Sequence, residues 1–352
     1  MTINDENDAP INLARRTALA LGGGVATIGL AAATRNVAAA AERPVAEPVN
    51  GPYPVPPPEK TAGPIKPGRG TMLNGKVAVV TGAARGIGRA IAVEYAANGA
   101  DVIALDIAGP VSPTADAIPA TKSELEETVS QIRAYGRRGE AIVADIRKVS
   151  QLRKAADHIE KTYGKIDCVV ANAAIQGWKP ILEMNDEDWE DQIQNNLTGT
   201  ANTVRAFAPK MVERKYGRLI LLSSMQGRMG TMSGASYSAS KWGILGLMKS
   251  AALELGRYNI TCNAILPGLV GTALTYNEQR FRAAMAQSNK AVPPFPTSQE
   301  AWDARAPTVP VGVGWLQPED ISPMAVFLAS DAAALVTGAE MAVTGGDAAK
   351  VS

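Results

Sequence analysis

Seven short apolar runs, separated by stretches of helix length, constrain this chain more than any other feature. They read KVAVVTG, DVIALD, EAIVAD, IDCVVANAA, RLILLSS, ITCNAILPG and AEMAVTGG, all beyond Leu73. Their apolar residues are continuous and mostly β-branched, whereas a strand with one wet face would alternate. Such strands must be buried on both sides, which requires a parallel sheet with helices over each face. The roughly 280 residues from 71 to 352 suffice for one large core. The expected architecture is a single doubly wound α/β domain with a seven-stranded parallel sheet.

Composition removes several classes of function. Lys and Arg number 35 against 34 Asp and Glu, and no basic stripe occurs, so neither nucleic acid nor an anionic membrane is an expected partner. The two cysteines, Cys168 and Cys262, sit in apolar runs and read as buried small hydrophobes. The single histidine, His158, lies in a charged helical segment and reads as a solvated side chain. This inventory argues against a zinc site and against a Ser-His-Asp triad. The expected chemistry uses neither metal nor imidazole.

Two segments precede the domain. Residues 1–41 run from a polar start through Arg15-Arg16 and an Ala/Gly/Leu stretch to Ala39-Ala40-Ala41. That order matches a twin-arginine export signal with a small-residue cleavage site, and its four glycines make it a poor membrane span. Ala14 and Ala18 depart from the usual pattern. Residues 42–70 hold nine prolines and read as an extended spacer. The expected location is outside the cytoplasm; a cytoplasmic protein with an uncleaved tail is the alternative.

The run VAVVTGAARGIGRAIA (77–92) is a strand, a glycine turn and a helix. Gly82, Gly86 and Gly88, with Arg85 and Ile87 between them, let the backbone approach a pyrophosphate at the helix N-terminus. Asp106 ends the next strand eighteen residues beyond Gly88, followed by Ile107. A carboxylate there accepts both ribose hydroxyls and repels a 2′-phosphate, which selects NAD over NADP. Arg85 argues mildly the other way.

Tyr237 and Lys241 stand four residues apart in YSASK and share one helix face. Bringing a phenol from about 10 to about 7 takes roughly 4 kcal/mol, which an ammonium and a bound nicotinium ring can supply. Ser224 ends the strand RLILLSS, at the carboxyl edge where ligands of open sheets bind.

TGAARGIG, ANAA (171–174), NNLTG (195–199), LSS (222–224), YSASK (237–241) and PGLVGT (267–272) occur in this order, and Ser224 precedes Tyr237 by thirteen residues. Over residues 73–346 the chain resembles the short-chain dehydrogenase/reductase family, whose fold is of the Rossmann type. The resemblance implies Tyr237 as acid/base, Lys241 as its pKa-lowering partner and ribose ligand, Ser224 as substrate anchor, and Asn196 in a water-linked proton relay. It implies that Asp145 and Ile146 flank the adenine and that Asn172 and Ala173 line the cleft. Pro267, Gly268, Val270 and Thr272 would hold the nicotinamide. Ala171 and Ala174 stand where the family commonly has Asn and Gly. A homotetramer packed through the helices bearing Asn196 and Tyr237 is also implied.

Thirty-nine residues separate Asp106 from Asp145, more than the family's usual interval. The excess, at about 108–123, resembles insertions in the branch containing carveol dehydrogenase, associated with the redox peptide mycofactocin. There the insertion implies a cover that keeps NAD from exchanging; a surface loop that grew is the plainer alternative. A covered NAD and an export signal together describe an exported enzyme reoxidised by an external acceptor or a second carbonyl substrate. The substrate loop is expected at 269–317, with Phe281, Met285, Phe295, Trp302 and Trp315. Together with Trp178, Met225, Met229 and Met232, these suggest an apolar, cyclic or aromatic secondary alcohol or its ketone. Packing in the core or between subunits is the other use of such residues. A carbonyl reductase and a non-catalytic dinucleotide sensor are the competing functions.

Overall fold

The computed structural model describes residues 53–350, except Pro67, Pro113 and Asp116. The signal-like stretch 1–41 and the start of the proline-rich segment lie outside the described residues. Each of the seven apolar runs contains a strand. In chain order the elements are β1 (Val77–Thr81), α1 (Gly86–Ala97), β2 (Asp101–Asp106), α2 (Lys122–Ala134), β3 (Gly139–Val143), α3 (Val149–Tyr163) and β4 (Cys168–Ala171). There follow α4 (Asp186–Gln192), α5 (Gly199–Arg214), β5 (Gly217–Leu222), α6 (Ala235–Leu255), β6 (Ile260–Pro267), α7 (Glu278–Gln287), α8 (Ser298–Arg305), α9 (Pro318–Ala329) and β7 (Glu340–Val343).

All pairings are parallel, in the order β3-β2-β1-β4-β5-β6-β7. Successive strand residues face opposite sides of a sheet. Val77 and Val79 therefore enter one core with Leu152 of α3, Phe207 of α5 and Met248 of α6. Ala78 and Val80 enter the other with Ile91 of α1, Leu125 of α2 and Ile321 of α9. Helices on both faces are why the runs carry no polar alternation. The strand order reverses between β1 and β4, so the connections leaving those strands diverge and open a crevice at their carboxyl ends. Both cysteines are free and buried, with burial pushing each thiol up to about 12. His158 is half-exposed, its Nε2 2.6 Å from Oε1 of Glu140. Among the described residues no helix is long and apolar enough to cross a membrane.

The described part of the proline-rich segment holds no strand, turns at Pro58–Lys60 and again at Gly68, and lies on the same chain's domain. Tyr53 stacks on Tyr276 with ring centroids 3.6 Å apart, and the Trp315 indole donates to the carbonyl of Pro54 at 3.1 Å. Thr61 Oγ1 and the Ala62 amide both donate to Asp320 at the start of α9. Tyr135 Oη donates to the carbonyl of Ile65. Arg69 lies 3.1 Å from Glu94 of α1, an ion pair without the alignment of a hydrogen bond. Glu94 is buried, and burial raises its pKa against the pull of Arg69, Ser322 and Asn98. Removing the guanidinium leaves a buried carboxylate with the Asn98 and Ser322 hydrogen bonds but without its ion-pair partner. Arg69→Ala is expected to cost about 3 kcal/mol at neutral pH. The loss should shrink in acid, where Glu94 is protonated in either protein and the charge pair is already gone. Denaturant titrations of both proteins at two pH values check this.

Candidate active site

The crevice begins at the β1–α1 turn. Gly82 and Gly86 have φ of +66° and +58°, a region that costs a side chain strain. A Cβ on Gly82 would also stand 2.7 Å from Cα of Ala173, and one on Gly88 would stand 2.0 Å from the carbonyl oxygen of Gly82. Glycine at these positions lets the ends of β1 and β4 meet, where the Asn172 side chain donates to the carbonyls of Thr81 and Gly82. No side chain caps the first turn of α1, so its outward N–H groups remain available to an anion.

Asp106 is buried at the crevice edge. Its Oδ2 accepts from the amide of Ala84 at 3.0 Å and its Oδ1 from that of Ala108 at 2.9 Å. Each oxygen retains acceptor capacity for a ribose hydroxyl. Arg85 is turned away from any phosphate role: its guanidinium donates to the carbonyl of Ile118 and pairs with Glu124 at 3.5 Å. The conflict between Asp106 and Arg85 in the sequence is thus resolved in favour of the carboxylate, and the donor set fits NAD.

A cavity of about 200 Å³ is lined by Gly82, Arg85, Gly86, Ile87, Asp106, Ile107, Asp145, Ile146, Asn172, Ala173 and Thr272. Val111, Ser112, Ala115, Ile118 and Pro119 of the segment between β2 and α2 line it as well. The insertion therefore stands over the same space as Asp106. It is tethered at three places: Arg85 to Ile118, Arg147 Nη1 to the carbonyl of Val111 at 3.0 Å, and Ser112 and Thr114 to Asp191. Burial raises the pKa of Asp145, but hydrogen bonds and charge from Arg147 outweigh it and hold the carboxyl below its ordinary range. Arg147 thus braces the rim and the cover together, a role that no pattern in the sequence signalled.

Ser224 follows β5, while Tyr237 and Lys241 stand on the first turns of α6. Tyr237 is partly buried and, with Ser224, lines a second cavity. Burial raises the pKa of Tyr237, and the Ser224 hydroxyl and the Arg280 guanidinium pull it back. Lys241 Nζ lies 5.5 Å from the Tyr237 ring centroid and donates to the carbonyl of Leu222 at 2.9 Å. Burial lowers the pKa of Lys241 to about 8.

Asn196 occupies a π-helical turn, Ile193–Thr198, between α4 and α5. Such turns shift side chains out of α-helical register and recur at functional sites. Asn196 exchanges hydrogen bonds with both backbone groups of Ile175 and donates to Ser240 Oγ at 3.2 Å; Ser240 in turn donates to the carbonyl of Tyr237 at 2.7 Å. Asn196 thereby ties the segment after β4 to the helix bearing the phenol.

The second cavity, of about 1000 Å³, is lined by Ser224, Tyr237, Lys241, Pro267, Gly268, Val270 and Thr272. It shares Ile87, Asn172, Ala174, Thr272 and Leu274 with the first, so one crevice leads from Asp106 to Tyr237. Trp178, Met225, Met229 and Met232 line it as the sequence suggested. The aromatic residues of the 269–317 loop are placed differently. Phe281, Met285 and Trp315 form a satellite core with Leu269 and Ala301, and Trp302 packs edge-to-face on Trp315 at 4.9 Å. None of these four residues, nor Phe295, is among the described residues lining the cavity. They stiffen the arm beside the crevice, because apolar side chains on α7 and α8 gain more from packing together than from facing an open cavity.

Arg280 of α7 was not singled out by the sequence, yet it lines this cavity and is only 6% exposed. Its guanidinium lies 4.9 Å from the ring centroid of Trp178. Its Nε and Nη1 are buried without a hydrogen-bond partner among the described residues. An unpaired buried charge costs several kcal/mol, whereas a desolvated cation–π contact returns about 2 kcal/mol. The available signal was helical spacing: Arg280, Phe281, Ala284 and Met285 form the buried stripe of α7, and the arginine stands in it.

A Rossmann sheet, a glycine turn feeding a bare helix N-terminus, and a Ser-Tyr-Lys set at the far end of one crevice define a dinucleotide-dependent oxidoreductase. The chain belongs to the short-chain dehydrogenase/reductase family: the model of the short chain dehydrogenase family matches residues 76–283. A (-)-trans-carveol dehydrogenase of Rhodococcus erythropolis is 34% identical over 281 residues, covering 79% of this chain and 99% of the relative. An uncharacterized NAD-dependent oxidoreductase of Mycobacterium tuberculosis is 39% identical over 282 residues, covering 79% and 98%. Carveol dehydrogenase from Mycobacterium avium, crystallised in complex with NAD, is 34% identical and superimposes with a TM-score of 0.75, covering 79% and 99%.

Proposed function

We propose that this protein is an NAD-dependent dehydrogenase that interconverts a secondary alcohol and its ketone, with Tyr237 as acid/base. The observation that carries this reading is that Ser224, Tyr237 and Lys241 line the wide cavity together where the dinucleotide crevice meets it, with Lys241 Nζ 5.5 Å from the Tyr237 ring centroid. Gly82, Gly86, Asp106, Asn172 and Thr272 hold the cofactor, and NAD supplies the hydride acceptor when bound. The chain's own residues do the rest. Ser224 orients the substrate oxygen, Tyr237 takes its proton, and the positive charges of Lys241 and Arg280 favour the phenolate. The methionines and Trp178 lining the cavity, with carveol dehydrogenases among the relatives, support an alcohol with an apolar body.

The tethered cover over the adenosine end supports a cofactor that stays bound, and the twin-arginine run supports export of the loaded enzyme. Reoxidation of a retained cofactor would then fall to an external acceptor or to a second carbonyl substrate. Trp242 and Leu253, exposed on α6, support assembly through that helix, as in a homotetramer. The test is to gel-filter the purified protein, denature it, identify any released dinucleotide and assay the native protein with carveol. One NAD per chain, reduced on addition of the alcohol, is the expected result. A protein that emerges empty and turns over only with added NAD would remove the bound-cofactor reading and leave the dehydrogenase; no alcohol-dependent reduction in any form would remove both.

A further inference from the structure

We infer that the wide cavity binds a carboxylate through Arg280, so that the substrate is a secondary alcohol with an apolar body and an acid group, or the corresponding oxo acid. The inference rests on the dehydrogenase reading for the word substrate and on the cavity alone for the carboxylate. A guanidinium with two of its three nitrogens buried and unpaired among the described residues gains from a ligand that supplies negative charge and oxygen lone pairs. Trp178 meets the face of the cation but offers its N–H groups no acceptor. The indole N–H of Trp178 is itself buried without a partner among the described residues, so a second donor faces the same shortage.

Among the described residues no carboxylate forms an ion pair with Arg280. Asp347, the buried carboxylate lining this cavity, is held by Arg305 and by Lys350, the latter at 2.6 Å. Arg305 adds to the repulsion: burial first, and then the charge of Arg305, lowers the pKa of Arg280 to about 9. A buried cation beside a second buried cation, with the carboxylate committed to the other, is an arrangement completed by an anionic ligand. A carboxylate suits the planar fork of arginine, since two coplanar oxygens can take two parallel N–H bonds. Arg280 also lies near enough to Tyr237 for each charge to shift the other's ionisation. Arg280, Tyr237, Met225 and Met229 line the same cavity, so a ligand held by Arg280 shares that space with the phenol and finds apolar contact for its body.

The test measures equilibrium binding to the protein loaded with NADH, so it needs no turnover and no knowledge of the natural substrate. Acetate, benzoate and cyclohexanecarboxylate are titrated beside their primary amides, following NADH fluorescence or heat. Benzoate and cyclohexanecarboxylate are expected to bind at least about 30-fold more tightly than their amides. Arg280→Leu should abolish that preference, while Arg280→Lys keeps part of it. Unchanged NADH affinity in Arg280→Leu shows that the variant folds and that the guanidinium serves the substrate side. The wild-type comparison of acid with amide stands even if that variant does not fold. Equal binding of acids and amides would overturn the inference, as would tighter binding of inorganic phosphate than of any carboxylate. A weakening of NADH itself in a folded Arg280→Leu would place the guanidinium on the cofactor and also overturn it. Carveol oxidation without an acid preference would leave the dehydrogenase standing and the carboxylate site refuted.

Discussion

Exchanging Tyr237 for Phe is expected to lower kcat for alcohol oxidation about 10³-fold, within the range attributed to a positioned acid/base group. NAD affinity should remain within about threefold, because only the transition state loses an interaction. The substitution removes one oxygen and keeps the ring that packs near Lys241 Nζ. The hydroxyl stands in an environment of opposed effects. Burial disfavours the phenolate, while the Ser224 hydroxyl and the Arg280 charge favour it, and a bound nicotinium would add one more positive charge. Oxidation needs the phenolate, so its rate should rise with pH toward a plateau; ketone reduction needs the phenol, so its rate should fall over the same interval. Profiles of kcat/KM in both directions check the sign. Turnover in the Phe variant above about a tenth of the wild-type rate would remove Tyr237 from the acid/base role.

What the sequence disclosed and what it concealed differ in physical range. The strands were legible because burial on both faces leaves an uninterrupted apolar run, and every residue of β1 is buried. The glycine turn and the Tyr237-Lys241 pair were legible because their geometry is set within one turn of chain. The destinations of Phe281, Met285, Trp302 and Trp315 were not, since an apolar side chain satisfies a cavity wall and a satellite core equally well in composition. Only the packing of α7 against α8 decides between them. Arg280 was concealed by the ordinary expectation that arginine is exposed, although it stands in the buried stripe of its helix. Arg147 reaches Val111 across the crevice rim, a contact with no local signature. The proline-rich segment looked like a spacer because it lacks periodicity, yet extended chain also packs well wherever aromatic rings and carbonyl acceptors are offered, as Tyr53, Pro54 and Ile65 show.

Replacing residues 110–119 by a two-glycine link is expected to raise the rate of NAD release about 100-fold. The segment provides one wall of the adenosine cavity. Covering on the order of 100 Å² of ligand surface is worth about 2.5 kcal/mol at 25 cal/mol per Å², close to two decades in rate if all of it acts on the exit step. The effect should fall on dissociation rather than association, where most affinity changes at one site fall. Arg147→Ala is the milder companion. It frees the Val111 carbonyl and unpairs Asp145, leaves the rest of the cover in place, and should raise the release rate about tenfold, as for a lost charge-assisted contact. Stopped-flow displacement of NADH by excess NAD reads both variants directly. A release rate unchanged by the two-glycine link would make the insertion an ordinary surface loop. The case for an enzyme that leaves the cytoplasm with its cofactor would then rest on Arg15-Arg16 alone. A large increase would show that the fold spends an irregular segment and three tethers on retention, which an enzyme drawing on a free NAD pool has no use for.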